Sequence, residues 1–126
     1  DLILLDVPCS NSGVLGRRPE ARHRYTVEGV KDLVALQRQI ITRAAGLLAT
    51  TSNAAIVYAT CSLDPRENQQ QVEWSRAACG LEPLGEGVVT VPVASPPAEP
   101  TSARDGAFVQ LLRRTSAAGV TSPPLA

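Results

Sequence analysis

Residues 54–68, AAIVYATCSLDPREN, run from an apolar segment through a cysteine into the start of a helix. A short continuous apolar segment bounded by turn residues is typical of a strand buried in a parallel sheet. The same order recurs in residues 2–10, LILLDVPCS, where an apolar run again leads to a cysteine. We predict one buried strand in each run, over residues 2–5 and 54–59. Because ligands bind at the carboxyl ends of the strands in open parallel sheets, Cys9 and Cys61 should lie close together at that edge.

A helix is predicted over residues 30–48, between the two strands. Its apolar residues recur at intervals of three and four, which places them on one face. That face is predicted to contain Leu33, Leu36, Ile40, Ala44 and Leu47. The preceding segment, residues 14–29, is rich in arginine and lacks a clean period, so we predict a loop with one short helical turn.

A second helix is predicted over residues 64–80. Asp64 can cap its first turn, Pro65 suits the first helical position, and Glu67 completes the spacing of a capping box. Gly80 is well placed to end this helix. Two of its residues are expected to face the core, Val72 and Ala78.

Two more strands are predicted, over residues 88–93 and 107–112, with a proline-containing loop over residues 94–104 between them. Strands joined without a helix favour an antiparallel pair. The order strand, helix, strand, helix, strand, strand is that of an α/β fold, half of a doubly wound sheet that ends in a hairpin. This domain is predicted to span residues 1–114. Residues 115–126 are small, polar and proline-containing, and we predict a disordered tail there.

The length of 126 residues fits one domain. The chain begins with Asp1 inside an apolar run and contains no Met, so we expect it to be the C-terminal piece of a longer protein. Its net charge is zero, so no overall field attracts nucleic acid or membrane. Four arginines nevertheless form a cluster: Arg17, Arg18, Arg22 and Arg24. The planar guanidinium donates two parallel hydrogen bonds to phosphate, and the cluster is therefore either a phosphate-binding surface or a solvated loop.

Three cysteines, Cys9, Cys61 and Cys79, make an odd count without paired spacing. That pattern argues against a disulfide framework and a zinc site, so no metal is expected. No signal peptide or run of transmembrane length is present in the sequence, and free thiols favour a reducing cytoplasm. A lone cysteine commonly behaves as a small buried residue, which we expect of Cys79. Cys61 lies three residues before the Asp64 cap, where a helix dipole favours a thiolate.

Four segments resemble the motifs of RNA (cytosine-5) methyltransferases of the Sun/Fmu type, and they come in the family's order. Residues 6–10, DVPCS, with Gly13 resemble the family's DAPCSGTG. Residues 58–68, YATCSLDPREN, resemble its YSTCS…PEEN. Two shorter stretches are similar to its LQ..IL and DGFF signatures, residues 36–40 and 105–108. Val7 and Asn11 stand where the family usually has Ala and Gly.

The resemblance implies a Rossmann-like class I fold and an S-adenosylmethionine-dependent methyl transfer to RNA, ribosomal RNA foremost. Family members attack carbon 6 of cytosine with the cysteine that corresponds to Cys61, which makes carbon 5 nucleophilic. Carbon 5 takes the methyl group, a base removes its proton, and the thiolate leaves. The family assigns Cys9 to resolution of the adduct and Asp6 to the polar edge of the cytosine. The base must first leave its stack.

The resemblance also implies that the methyl-donor site is incomplete in this chain. The family's CAAPGGKT loop and the acidic residues that hold the adenosine belong before Asp1. Only Asp6 and Pro8 are expected at the edge of the donor site. We therefore expect the isolated chain to bind S-adenosylmethionine weakly or not at all, and to be a poor enzyme or none.

The arginine cluster is expected to line the RNA entrance rather than to form salt bridges, because Glu20 is the only acid inside it. Two other functions remain open. One is a non-catalytic RNA-binding or interaction module that lacks the donor half. The other is an unrelated thiol enzyme, such as a hydrolase, which needs a histidine to activate its thiol. The single histidine, His23, lies in the arginine loop.

Overall fold

The computed structural model describes residues 2–50, 53–94 and 103–115. These residues form one five-stranded sheet with two α-helices. The strands are β1 (Leu2–Asp6), β2 (Ala55–Thr60), β3 (Leu81–Pro83), β4 (Val88–Thr90) and β5 (Ala107–Arg114). The helices are α1 (Val27–Leu47) and α2 (Gln69–Cys79), and two short 3-10 helices precede α1, Ser12–Val14 and Pro19–His23. The arginine-rich loop therefore contains more helical structure than the single turn predicted.

The sheet combines a parallel pair with an antiparallel end, as predicted. β1 and β2 are parallel neighbours connected through α1. β5 runs antiparallel to β2 on one side and antiparallel to β3 and β4 on the other. The β4–β5 pair is the predicted hairpin, although β4 ends at Thr90 rather than residue 93. β3 was not predicted, because three residues are too few to show a period.

The prediction that residues 2–5 are fully buried is wrong. Successive side chains of a strand point to opposite faces of the sheet, and in β1 the two faces differ. Leu2 and Leu4 are 67% and 68% exposed, whereas Ile3 and Leu5 pack against the core. β2 is more enclosed, because it has neighbours on both sides, and its Ile56 and Tyr58 are fully buried.

Helix α1 begins three residues earlier than predicted, because Thr26 caps it: the Thr26 hydroxyl accepts a hydrogen bond from the backbone N–H of Gly29 at 3.0 Å. The buried face is also rotated from the predicted one. Leu36 and Leu47 are 41% and 81% exposed. The buried residues of the helix are Val30, Gln37, Ile41, Ala44 and Ala45.

Helix α2 begins at Gln69, after a turn at residues 65–68. Asp64 accepts a hydrogen bond from the backbone N–H of Arg66, so it caps this turn and not the α-helix itself. The predicted capping box does not form, because the Glu67 carboxylate is buried elsewhere. Gly80 ends the helix in the left-handed region at φ 62°, as predicted.

The inward face of α2 also differs from the prediction. Val72 is half-buried, but Ala78 is exposed. The buried residues are Gln71, Ser75 and Cys79. Cys79 is thus a small core residue, as expected, and its burial raises the pKa of its thiol.

The core lies between the sheet and the two helices. Its fully buried side chains include Ile41 from α1 and Ile56, Tyr58 and Leu112 from the strands. Tyr58 and Phe108 meet edge to face, with ring centroids 6.4 Å apart. Neither described helix is long and apolar enough to cross a membrane. The predicted tail beyond Thr115, and most of the predicted loop at residues 94–104, lie outside the described residues.

Candidate active site

The two thiols meet at the carboxyl edge of the parallel pair, which confirms the predicted proximity. β1 and β2 are in register up to Asp6 and Ala59, and the backbone N–H of Val7 extends the pairing to the carbonyl of Ala59. From there both chains turn into loops. The Sγ atoms of Cys9 and Cys61 lie 3.2 Å apart, and both thiols are free and half-buried.

The two sulfurs have different surroundings. Burial and the adjacent Cys61 sulfur together raise the pKa of Cys9 to about 12, against a hydrogen bond from the Asn11 backbone that lowers it. Cys9 is therefore a neutral thiol near pH 7 and can donate a hydrogen bond. Cys61 also contacts the Asn11 side chain, with Sγ 3.0 Å from Oδ1. Asn11 occupies the left-handed region at φ 60°, which asparagine tolerates better than most residues.

A buried carboxylate joins the loops that carry the two cysteines. Glu67 is fully buried, and its Oε2 accepts hydrogen bonds from the hydroxyls of Ser10 and Ser62, both at 2.5 Å. Its Oε1 accepts from the backbone N–H of Ser10 at 2.9 Å and from Nε2 of Gln37 at 3.1 Å. Each serine directly follows one of the cysteines. Glu67 thus connects both loops to α1.

Asn68 holds the backbone of the Cys61 loop. Its Nδ2 donates to the carbonyl of Ser62 at 2.8 Å, and its Oδ1 accepts from the hydroxyl of Thr60 at 2.6 Å. These contacts fix the residues on both sides of Cys61. The side chain of Ser12 adds a link between the loops, because its hydroxyl accepts from the backbone N–H of Leu63 at 2.9 Å.

Three segments far apart in sequence meet at Gly13. Its N–H donates to the carbonyl of Cys61 at 2.9 Å, and its carbonyl accepts from the N–H of Gly106 at 2.7 Å. A Cβ atom at position 13 would lie 2.6 Å from the carbonyl oxygens of both Cys61 and Gly106. Only glycine fits this approach without displacing backbone.

A cavity of about 360 Å³ opens beside the nucleophile candidate, a volume in the range of small-ligand sites. It is lined by Asn11, Val14, Arg17, Arg18, Cys61 and Asp105. Arg17 forms an exposed ion pair with Asp105 at 3.1 Å. The expectation that the cluster avoids salt bridges is therefore wrong for Arg17, because a distant acid reaches it.

The rest of the arginine cluster stays at the surface. Arg18 lines the cavity, whereas Arg22 and Arg24 are exposed and do not. Arg22 Nε donates to Nε2 of His23 at 3.4 Å. Neither Cys9 nor Cys61 has a hydrogen bond to His23 among the described contacts. The geometry thus gives no support to a thiol enzyme activated by histidine.

Tyr25 anchors the far end of the arginine loop. Its hydroxyl donates to Oδ2 of Asp64 at 2.6 Å, and Arg66 donates to the same carboxylate through Nε and Nη2. The hydrogen bonds from Arg66 hold the pKa of Asp64 at about 2, against its burial. The hydrogen bond to Asp64 in turn raises the pKa of Tyr25. The loop is therefore tied to the turn that follows Cys61.

Known proteins are similar to this chain in sequence. Residues 1–78 match the family described as 16S rRNA methyltransferase RsmB/F. The chain belongs to this family. It is 38% identical over 90 residues to ribosomal RNA small subunit methyltransferase F of Pectobacterium atrosepticum, which covers 68% of the chain and 18% of that protein. It is 44% identical over 72 residues to methyltransferase B of the same organism, which covers 57% of the chain and 16% of that protein.

Solved structures agree in fold. NSun6 from Pyrococcus horikoshii with SFG has a TM-score of 0.63 and 26% identity over 89% of the chain and 29% of that protein. A methyltransferase homolog protein from the same organism has a TM-score of 0.64 and 25% identity over 91% of the chain and 39% of that protein. The Rossmann-like expectation is confirmed. The chain spans about a fifth of the length of its RsmB/F relatives.

The two residues expected at the donor edge, Asp6 and Pro8, lie at the end of β1 and just beyond it. Asp6 ends β1 and is exposed, and no hydrogen bond or ion pair engages its carboxylate within the described residues. Pro8 is also exposed, and its carbonyl accepts from Nε2 of Gln37 at 2.9 Å. The carboxylate of Asp6 is thus open at the carboxyl end of a strand, the edge where ligands bind in open parallel sheets.

Sequence reasoning missed most of the residues that surround the thiols. Glu67 was interpreted as a helix cap, and Asn11 was noted only as a departure from the family motif. Asp105 was noted only within a motif signature. The serines Ser10, Ser12 and Ser62 lie inside the quoted motifs without being singled out. Their signal was available, because each of the three is within two residues of a motif cysteine or of Asn11 and carries a hydroxyl into a buried loop.

Proposed function

We propose that the chain is the catalytic-cysteine segment of a longer S-adenosylmethionine-dependent RNA cytosine-5 methyltransferase, with ribosomal RNA as substrate. The observation that carries the proposal is the pair of free sulfurs 3.2 Å apart at adjacent parallel strand ends. Membership of the RsmB/F family and the short span relative to the relatives support it. The cytoplasmic location expected from the free thiols is part of the same proposal.

In the proposed reaction Cys61 is the nucleophile. Its thiolate bonds to carbon 6 of a cytosine that has left its stack, and the electron pair of the 5,6 double bond moves to carbon 5. The bound donor supplies the electrophilic methyl group that carbon 5 accepts. A general base of the full-length protein takes the carbon 5 proton, the electrons of that C–H bond restore the double bond, and the bond between carbon 6 and sulfur breaks to return the thiolate.

Cys9 and Asp6 have supporting roles in the proposal. Cys9 is a neutral thiol beside the nucleophile, because burial raises its pKa to about 12. It can therefore stabilise the departing Cys61 thiolate by donating a hydrogen bond, which favours resolution of the adduct. The exposed Asp6 carboxylate can accept a hydrogen bond from the cytosine amino group.

The methyl donor fits the residues present only in part. Asp6 and Pro8 would form the border of its site. The described cavity beside Cys61 is lined by groups suited to a base and its phosphate, among them Arg18. We propose that the remaining donor contacts come from the part of the protein that the RsmB/F relatives have beyond this segment.

The test uses two cysteine variants of the full-length protein with its RNA. Cys61→Ala should abolish methylation and leave no covalent complex. Cys9→Ala should accumulate a protein–RNA adduct that survives a denaturing gel. Cys79→Ala is the matched control, because Cys79 is a core residue on α2. If Cys61→Ala still forms the adduct, the roles are misassigned, and if no variant or parent protein methylates RNA, a non-catalytic RNA-binding module remains.

A further inference from the structure

We infer that Glu67 is a positioning residue that fixes the two thiols relative to each other. The inference rests on the proposed function, since the thiols matter only if they share a substrate. Glu67 touches neither sulfur. It acts through Ser10 and Ser62, each of which directly follows one of the cysteines in the sequence.

Because Glu67 is buried, its carboxylate depends on these hydrogen bonds. An ionised carboxylate removed from water is costly unless every lone pair finds a donor. Glu67 is fully buried, and each of its oxygens accepts two hydrogen bonds, all from neutral groups. Hydrogen bonds to a charged acceptor are short and strong. The Glu67 carboxylate therefore holds the four donors close together.

The groups that donate hydrogen bonds to Glu67 come from both cysteine loops and from α1. Ser10 contributes both its backbone N–H and its hydroxyl, which fixes the Cys9 loop in two directions. Ser62 contributes its hydroxyl, while the same oxygen accepts from the backbone N–H of Asp64 at 2.9 Å. Asn68 next to it reaches only the Cys61 loop. The carboxylate of Glu67 reaches both loops at once, and Gln37 ties it to α1.

An amide at position 67 cannot make the same four hydrogen bonds as the Glu67 carboxylate. Both hydroxyls donate to Oε2. Glu67→Gln replaces one acceptor oxygen by an NH₂ donor, so one pair of contacts must reverse or break. The loops should then separate or fluctuate, and the sulfurs should lose their fixed approach.

The readout is the tendency of the full-length protein to form a Cys9–Cys61 disulfide with glutathione. Two protein thiols reduce one oxidised glutathione to two reduced molecules, and the equilibrium ratio gives the effective concentration of one thiol at the other. Glu67→Gln should lower that effective concentration about tenfold, since displacements near 1 Å have effects of this order or larger. Ser10→Ala should lower it in the same direction.

The matched control is Glu73→Gln, an exposed glutamate on α2. It should leave the effective concentration unchanged. All measurements are made below the unfolding temperature of each variant. If Glu67 only stabilised the fold, Glu67→Gln would lower the melting temperature but would not change the equilibrium ratio of disulfide to free thiols in the folded protein. An unchanged ratio in both Glu67→Gln and Ser10→Ala would overturn the inference.

A second measurement connects the residue to turnover. In the full-length protein, Glu67→Gln should lower kcat for methylation and leave KM for RNA unchanged, because a fully buried side chain does not contact RNA. A raised KM with unchanged kcat would contradict a positioning role. If the parent protein shows no methylation at all, the proposed function fails while the glutathione result still decides the role of Glu67.

Discussion

Two cysteines 3.2 Å apart are chemically unequal in this protein. Burial and the neighbouring sulfur favour the neutral form of Cys9. Cys61 lines the cavity and has the Asn11 amide beside it. A single thiol pair can thus provide a nucleophile and a hydrogen-bond donor without any histidine. The proposed division of roles is consistent with the position of each sulfur.

The first prediction concerns alkylation of the free thiols in the 126-residue chain. With a pKa of about 12, Cys9 is a thiolate in roughly one molecule in ten thousand at pH 8, and only the thiolate reacts. Between pH 7 and 9, iodoacetamide should therefore modify Cys61 well before Cys9, as peptide mass spectrometry can show. Cys79 serves as the buried reference. Equal rates at Cys9 and Cys61 would contradict the assignment.

The second prediction concerns the close approach at Gly13. Gly13→Ala should destabilise the fold by about 1 to 3 kcal/mol, the usual cost of forcing an extra group into a packed site, because the new Cβ meets two backbone carbonyls at 2.6 Å. Gly16→Ala is the matched control in the same loop, with no atom within 4 Å of its added Cβ. Denaturant unfolding measures both. Equal stabilities of the two variants would show that the loops have room to move.

At the scale of elements, the features that depend on a local sequence pattern were predicted correctly, and those that depend on tertiary contacts were not. The carboxyl ends of β1 and β2 and the cap at Gly80 follow from apolar runs and a single glycine, and both are present. The inward face of α1 does not follow from apolar spacing, because Gln37 is held inside by hydrogen bonds to Pro8 and Glu67. A polar residue with buried partners cannot be recognised from periodicity.

The third prediction concerns the turn between β2 and α2. Asp64 has a folded pKa of about 2, lowered by hydrogen bonds from Arg66, against a usual value near 3.8. A lowered pKa adds stability above the unfolded value, and that stability is lost as pH falls through the folded value. Asp64→Asn should therefore cost about 1 to 2 kcal/mol at pH 7, reduced from the full shift because Arg66 is exposed.

Thermal unfolding between pH 2 and pH 7 tests this sign. The difference between wild type and Asp64→Asn should be constant above about pH 4 and should shrink toward zero at pH 2. Glu82→Gln, which removes a surface ion pair with Arg76, is the control and should show a smaller effect. A difference that grows on acidification would contradict the lowered pKa.

The fourth prediction concerns the arginine loop as a proposed RNA-binding surface. Arg18, Arg22 and Arg24 are exposed and form no ion pair with a described residue, whereas the charge of Arg17 is met by Asp105. Phosphate contacts make binding salt-dependent and are largely independent of sequence. In the full-length protein, Arg22→Gln with Arg24→Gln should weaken RNA binding and flatten its salt dependence more than Arg17→Gln. An unchanged salt slope would make the cluster a solvated loop.

At the scale of the whole molecule, the sheet is parallel on one side and antiparallel on the other. The thiols follow the parallel pair β1–β2, and Gly106, the residue before β5, holds the Cys9 loop by donating its N–H to the carbonyl of Gly13. The α/β class and the terminal hairpin followed from the order of elements. The exposed face of β1 did not, because an apolar run cannot report whether a layer covers it. Leu2 and Leu4 show that none of the described residues does.

The fifth prediction concerns the methyl donor. The 126-residue chain should bind S-adenosylmethionine weakly or not at all, because in such folds the nucleotide lies mainly on loops of the first half of the sheet, and only Asp6 and Pro8 are proposed to border its site here. Isothermal titration calorimetry measures this, with the full-length protein as the positive control. Micromolar affinity in the short chain would mean that the donor site lies within these 126 residues.

The junction of Gly13, Cys61 and Gly106 also determines when the site can exist during protein synthesis. A ribosome delivers the chain from its N-terminus, and early segments begin to fold before later ones appear. Cys9 emerges first and Cys61 follows, but the carbonyl of Gly13 has its partner only when Gly106 arrives. Until then, the loops that carry the two thiols of the nascent chain lack their contact with the segment of Gly106. The time needed to translate residues 62–106 is therefore the shortest interval in which both cysteine loops lack this third segment.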